Sequence, residues 1–164
     1  MRVISGIALA FFAVALQADD KKPDDVKPYV WEEGKCSLKF PSPPTKAKNL
    51  LSLATPGGET VYVVVLVEKS GFDKFDDNLK KVFFDGLRDG LVKNQKGKLL
   101  AEKDVKGEGF AGRDVSVETE DGKVYRTRAL IAGDNFYTIT MTGKKDKATG
   151  KDADAFFESF KLVK

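Results

Sequence analysis

Histidine is absent from all 164 residues of this chain, and cysteine occurs once, at Cys36. Without histidine the chain cannot build Ser-His or Cys-His nucleophile pairs, a histidine general base or a histidine-bearing zinc site. One cysteine cannot form a disulfide within its own chain, so packing must hold the fold. In a predicted strand, Cys36 lies on the same side as Leu38 and Phe40, which favours a buried cysteine over a reactive thiol.

A strong net charge is also lacking, because 28 basic residues face 25 acidic ones. This near balance excludes the electrostatic footprint of a nucleic-acid-binding protein and of a protein attracted to anionic membranes. The acidic runs do not follow the calcium-loop pattern of alternating oxygen ligands, central glycine and terminal glutamate. The sequence therefore predicts no catalytic residue, no metal and no cofactor.

One formal nucleotide motif is present, the GxGxxG of residues 107–112. A dinucleotide site needs a helix after the glycines, since the helix amino terminus binds the pyrophosphate. Residues 113–118 alternate as a strand instead. The glycines are thus predicted to form a bulge or a close approach of the backbone to a neighbouring helix.

The amino-terminal segment has the pattern of a secretory signal peptide, with Arg2 before an apolar run that is too short to span a membrane. Cleavage is expected after Ala18, and Ala15 is the alternative site. Residues 19–28 then form a flexible charged leader, and residues 29–164 a single domain. The product is expected to be exported to the periplasm or secreted, as a monomer without a stable membrane anchor.

The pattern of apolar residues predicts an α+β fold in the order βββ-α-ββββ-α, with an antiparallel sheet of about six to seven strands and two main helices. The predicted strands are residues 36–40, 46–54, 60–68, 98–105, 112–119, 123–132 and 135–142. The predicted helices are residues 75–91 and a closing helix from Asp152. The strand 60–68 is apolar on both parities, which predicts a central strand covered on both faces. Gly86 and Gly90 in the first helix predict its close packing against a strand.

Three of the five arginines form the candidate site. Arg126 and Arg128 point the same way from one strand, and Arg113 lies on the strand paired with it across the turn of residues 120–123. Guanidinium groups favour small anions, carboxylates or a protein partner. The alternative is cross-strand pairing with Glu118 or Glu120 on a solvated face of the sheet.

The element order resembles the PsbP-like family of small exported α/β domains. The resemblance rests on the hairpin into residues 61–67, the helix 75–91, the run 109–113, the strands holding Tyr125-Arg-Thr-Arg128 and Phe136-Tyr-Thr-Ile139, and the ending 153–162. It implies an antiparallel sheet flanked by helices that docks on other proteins without a shared catalytic site. No functional residue carries over from the family.

The first expectation for function is a noncatalytic, exported accessory domain that binds a protein or a small ligand. The second is a carrier of small apolar ligands or lipid, with Phe83, Phe84, Phe156 and Phe157 lining a pocket between helix and sheet. The third is a hydrolase built from carboxylates, serine and lysine.

Overall fold

The computed structural model describes residues 26–163, in which two antiparallel sheets and two main helices are arranged around a layered core. The predicted signal peptide, residues 1–18, lies outside the described residues, as does most of the predicted leader. Residues 26–28 have no regular structure, and the first strand begins at Tyr29.

Within residues 26–163, ten strands and three α-helices follow one another. They are β1 (Tyr29–Trp31), β2 (Cys36–Leu38), β3 (Thr45–Ala47), β4 (Leu50–Ala54), β5 (Thr60–Val67), α1 (Asp77–Asn94), β6 (Lys98–Gly107), β7 (Phe110–Glu118), β8 (Lys123–Ala132), β9 (Asn135–Lys144), α2 (Lys145–Ala148), α3 (Lys151–Glu158) and β10 (Lys161–Leu162).

The main sheet has seven strands in the order β3-β4-β5-β9-β8-β7-β6, and every neighbouring pair is antiparallel. Strands β6 to β9 form the predicted meander, and its last strand, β9, pairs with β5. The predicted α+β class with an antiparallel sheet and two main helices is confirmed.

A second, three-stranded sheet in the order β1-β2-β10 was not predicted. The expected first strand, residues 36–40, belongs to this small sheet as β2. The expected second strand, residues 46–54, divides into the hairpin β3–β4, because Lys48 and Asn49 form a turn between Ala47 and Leu50. The small sheet also joins the two ends of the described chain, since β10 pairs with β2.

One face of the main sheet, the inner face, packs against the small sheet and α3. Its core is rich in aromatic rings, which bury large apolar areas and meet edge to face. The largest fully buried side chains in it are Trp31, Leu38, Leu51, Val64, Leu130, Tyr137, Ile139, Met141 and Phe157. The Tyr137 hydroxyl donates to the carbonyl of Gly34 at 2.8 Å, so this ring links the main sheet to the turn of the small one.

The outer face of the main sheet carries α1. Asp76 caps this helix by accepting a hydrogen bond from the backbone amide of Leu79 at 2.8 Å. Only Phe84 of the helix is fully buried, in a cluster with Ala129, Ile131 and Phe136.

Two expectations for the outer face are wrong. A Cβ atom at Gly86 or Gly90 would meet nothing within 4 Å, so these glycines face open space and not a strand. β5 is central, as predicted, but only its inner residues Thr60, Tyr62, Val64 and Leu66 are buried. Its outer valines stay half-buried or exposed, because α1 lies over the other half of the sheet.

The GxGxxG segment forms the hairpin turn between β6 and β7. Gly109 adopts φ +80°, in the left-handed region that favours glycine. A Cβ atom on Gly112 would lie 1.9 Å from the carbonyl oxygen of Ala129, so glycine is required where β7 passes β8. The predicted close approach is present, and the neighbour is a strand, not a helix.

Candidate functional site

Arg126 and Arg128 extend from β8 into the inner layer, where both pair with Asp114 of β7. Asp114 accepts two bonds from Arg126, at 3.1 Å from Nε and 3.0 Å from Nη2, and a bond from Arg128 Nη2 at 2.9 Å. All three residues are at most 5% exposed. The strand register places them together. Asp114 of β7 lies opposite Arg128 of β8, and the next pair on the same face of the sheet is Ser116 and Arg126.

The same two guanidinium groups also hold α3 against the sheet. Arg126 Nη1 lies 2.7 Å from Oδ1 of Asp154, and Arg128 Nη1 donates to the carbonyl of Phe157 at 2.7 Å. The ring centroid of Phe157 lies 4.5 Å from the guanidinium carbon of Arg126 and 5.2 Å from that of Arg128. Cation–π contacts in such a desolvated setting add to the ion pairs.

The electrostatics of this buried cluster favour the ionised forms of Asp114 and Arg126. Burial alone would raise the pKa of the Asp114 carboxyl, but hydrogen bonds and charge from Arg126 and Arg128 outweigh it and keep that pKa below its ordinary value. Burial likewise opposes the charge of Arg126, and the carboxylates of Asp114 and Asp154 raise its pKa nonetheless. The carboxylate of Asp114 thus occupies the two guanidinium forks in which the sequence predicted an external anion.

Arg113 lies on the opposite, outer face, so the structure does not bring the three arginines together. Its Nη1 is 2.5 Å from Oδ1 of Asp85 and 2.8 Å from Oε1 of Glu102. Arg88 of α1 also contacts both of these carboxylates, at 3.4 Å and 3.2 Å. Hydrogen bonds from Lys81 and Arg113 lower the pKa of Asp85 to about 2. This outer cluster ties α1 to β6 and β7.

The pairing partners expected for these arginines are also different. The sequence offered Glu118 or Glu120 as partners on a solvated face. The structure pairs Glu118 with Lys145, and Arg126 and Arg128 with Asp114 in a buried layer.

A trough of about 1290 Å³ lies on the inner side, beside the buried cluster. Its apolar lining consists of Val105, Phe110, Phe157, Phe160, Leu162 and Val163, and its charged lining includes Lys103, Lys106, Glu108, Arg128, Glu158 and Lys161. On β6, the register places Lys103 opposite Asp114 and Val105 opposite Gly112, so both face this inner side.

Both long sides of the trough are edges of sheets. Among residues 26–163, β6 pairs only with β7 and β10 pairs only with β2, so within this part of the chain each strand has a free edge. The trough is lined by residues 103–107 of the first edge and by residues 161–163 at the second. Free strand edges present backbone N–H and C=O groups to an incoming extended chain. Sequence reasoning missed this trough, because no local pattern reveals that residues 103 and 161 lie across a groove.

The four phenylalanines considered for a carrier pocket do not meet. Phe83 and Phe84 pack on the outer face, whereas Phe156 and Phe157 pack in the inner layer. A smaller cleft of about 350 Å³ adjoins Phe84 on the outer side, lined also by Phe72, Phe110 and Ile131. The single pocket expected from these four rings is therefore not formed.

Other candidate chemistry is sparse within residues 26–163. Cys36 is fully buried, and this burial raises the pKa of its thiol to about 12. Across the same residues, no three Cys, Asp or Glu side chains are grouped so as to hold a metal ion. No helix in the described part of the chain is long and apolar enough to cross a membrane.

Comparison with known proteins identifies the fold. The solution structure of cyanobacterial PsbP (CyanoP) from Synechocystis sp. PCC 6803 is similar with a TM-score of 0.59 and 8% identity, over 84% of this chain and 92% of that one. PA94 of Pseudomonas aeruginosa, a protein of unknown function described as a putative regulator, matches with a TM-score of 0.42 and 18% identity, over 75% of this chain and 85% of that one. No protein-family model and no curated protein matches the sequence. The chain has a PsbP-like fold.

Proposed function

We propose that this protein is a noncatalytic, exported binding module that holds an extended segment of a partner protein in the trough. The observation that carries the proposal is the pair of free strand edges, β6 and β10, on either side of one groove. An extended peptide placed between them can add to β6 as an eighth strand, with its backbone supplying affinity. The proposal of export rests on the pattern of residues 1–18.

The lining of the trough suits a peptide better than a small apolar molecule. Alternate residues of an extended chain point to opposite sides, so every second side chain can pack on Val105, Phe110 and Leu162 while the others stay in solvent. Positively charged lysine and negatively charged glutamate side chains lie around this apolar floor. A carrier of apolar ligands encloses most of its cargo, whereas this groove is partly open to solvent.

The side chains in the floor of the trough are held by internal contacts, which reduces the conformational entropy that binding would cost. Arg128 lines the groove and is fixed by Asp114 and by the carbonyl of Phe157. Phe110 and Phe160 meet edge to face with ring centroids 5.3 Å apart. A preformed surface of this kind reduces the ordering that the protein must undergo on binding.

The test is selection of binding peptides from a random display library on the purified protein, followed by NMR mapping on the 15N-labelled chain. We expect the amides of residues 103–107 and 161–163 to shift and to gain protection from solvent exchange. Methylating alternate backbone nitrogens of the selected peptide should abolish binding, since these groups would bond to the strand edge. Shifts confined to other surfaces, or an unchanged affinity of the methylated peptide, would contradict the proposal.

A matched pair of substitutions in β6 locates the contact. Val105→Lys places a charge in the floor of the trough and is expected to weaken the selected peptide about tenfold or more, the effect of losing one buried valine contact. Leu99→Lys makes the same kind of change in the same strand, at an exposed residue outside the trough. Its affinity should equal that of the unchanged protein, and equal losses in both variants would count against this site.

A further inference from the structure

The smaller cleft beside Phe84, of about 350 Å³, lies on the outer face of the main sheet near the β6–β7 turn, and we call it the outer cleft. Its apolar lining consists of Phe72, Phe84, Phe110, Ala111 and Ile131, and its charged lining of Asp73 and Lys80. Phe84 and Ile131 are buried, whereas Phe72 is half-buried and Ala111 is exposed. The outer cleft therefore offers apolar surface to a side chain that comes from outside.

The outer cleft and the trough meet at the turn between β6 and β7. Gly109 and Phe110 line both of them. Gly109 lies at the tip of the hairpin and has no side chain, so the backbone of a bound segment can pass close over the tip. The free edge of β6 ends here, at Gly107. A segment that leaves the trough across this turn therefore reaches the outer cleft.

Contacts within the chain fix the walls of the outer cleft. The loop before α1 is bonded to the turn between β8 and β9, since the backbone amide of Gly71 donates to Oδ1 of Asp134 at 2.6 Å. The ring of Phe72 packs on Phe83 and Phe136, with ring centroids 4.4 Å and 5.2 Å away. A cleft held in this way is formed before anything binds, so binding requires little rearrangement of the protein.

The chemistry of the lining favours an aromatic side chain. Three phenylalanines line the outer cleft, and aromatic rings pack well against one another edge to face. Asp73 can accept a hydrogen bond from a tyrosine hydroxyl or a tryptophan N–H, and Lys80 can donate one to a tyrosine hydroxyl. Aromatic residues that fill a pocket are also typical anchors of protein interfaces. The small size of the cleft suits one such residue.

We propose that the outer cleft holds an aromatic anchor residue of the same partner segment whose extended part lies in the trough. This inference rests on the proposed function, since the trough brings the segment to the cleft. The trough and the outer cleft lie on opposite sides of the sheet, about 10 Å apart, and an extended chain covers this distance in about three residues. The partner is thus an extended segment with an aromatic residue about three positions beyond the part that pairs with β6.

Peptides selected on the purified protein from a random display library are the probe. We expect them to share an aromatic residue at this position, and its replacement by alanine should weaken binding at least about thirtyfold, the effect of losing a central anchor. In NMR spectra of the 15N-labelled protein, the amides of residues 109–111 and 131–133 should shift with the aromatic peptide and not with its alanine variant. Equal affinities of the two peptides would refute the anchor.

Ala111→Trp fills the outer cleft from the side of the protein. Ala111 is an exposed residue of β7, and tryptophan is well tolerated in strands, so we expect this variant to fold. It should bind the aromatic peptide at least about thirtyfold more weakly than the unchanged protein does. It should also bind the aromatic peptide and its alanine variant equally, because the anchor then has no place to enter.

Ala54→Trp is the matched control, because Ala54 is an exposed residue of β4 that lines neither the trough nor the outer cleft. It should bind the aromatic peptide like the unchanged protein. Equal binding by Ala111→Trp and Ala54→Trp, with both folded by circular dichroism, would overturn the anchor. The trough itself is tested separately by Val105→Lys, so peptides that are sensitive to Val105→Lys but not to Ala111→Trp would refute the anchor and leave the proposed function standing.

Discussion

Two arginine clusters lie back to back on the main sheet, and adjacent residues of β7 supply one member to each. Asp114 points into the inner layer and binds Arg126 and Arg128, whereas Arg113 points outward and binds Asp85 and Glu102. Both clusters join a helix to the sheet through the same guanidinium–carboxylate chemistry. They differ in burial, since Asp114 is 3% exposed and the carboxylates of the outer cluster are 23–77% exposed.

This difference means that the contribution of an ion pair to folding stability depends on its surroundings. In the inner cluster, each charge has lost its water and depends on its partners, so removal of one leaves the others uncompensated. In the outer cluster, water and salt replace a lost partner at little cost. The inner cluster therefore contributes more to holding α3 on the sheet than the outer cluster contributes to holding α1.

The largest expected effect is that of Asp114→Ala. This change leaves two buried guanidinium groups without their shared carboxylate, and we expect it to lower the free energy of unfolding by about 3–5 kcal/mol. Urea denaturation followed by tryptophan fluorescence measures it, since Trp31 is buried in the same layer. Asp85→Ala, in the outer cluster, is the control and should have a much smaller effect. Equal losses of stability in Asp114→Ala and Asp85→Ala would contradict the greater contribution assigned to the inner cluster.

Acid should affect the inner cluster next. Because the pKa of Asp114 is lowered in the folded protein, its stabilising contribution is complete above the unfolded pKa of about 3.9 and is lost as the pH falls through the lower folded value. The stability difference between the unchanged protein and Asp114→Asn should therefore shrink between pH 5 and pH 2. Denaturation midpoints of both proteins across this range provide the measurement. A constant difference would show that the Asp114 charge does not contribute.

The smallest expected effect is that of Arg113→Ala. Loss of this outer arginine should lower the free energy of unfolding by about 1 kcal/mol, the upper range for pairs near the surface. The loss should also decrease in 1 M NaCl, where the Debye length is about 3 Å. Thermal melts at low and high salt test this. Losses of several kcal/mol that are insensitive to salt would place Arg113 in the same class as Asp114.

The assignment of the arginines could not be settled from sequence, because it depends on a register of one residue. A four-residue turn at 120–123 would place Arg113 on the same face as Arg126 and Arg128. In the structure, Thr119 bonds to Lys123 across a three-residue loop, with Gly122 at φ +78°, so Arg113 lies opposite Ala129 and Asp114 opposite Arg128. A shift of one position moves every side chain of a strand to the other face.

The pattern of apolar residues along the sequence predicted most of the strands and helices. How these elements stack into layers is defined only by tertiary packing. In β9, the buried Tyr137, Ile139 and Met141 alternate with threonines that point to the other side of the strand. Residues on both sides of β5 are apolar, and this pattern correctly predicted that the strand is central in the sheet. It did not predict that no helix within residues 26–163 covers the outer valines of β5. The small sheet could not be predicted, because its strands have two or three residues and are assembled from opposite ends of the chain.

The pairing of β10 with β2 has a consequence for how this protein folds. The backbone amide of Lys39 bonds to the hydroxyl of Ser159, which is 120 positions away, and the neighbouring β2–β10 ladder closes the small sheet. A contact of such long range forms late, after the loop between its ends has closed. The hairpins of the meander can form while the chain is being made, whereas the inner layer is completed only after the last strand has been synthesised.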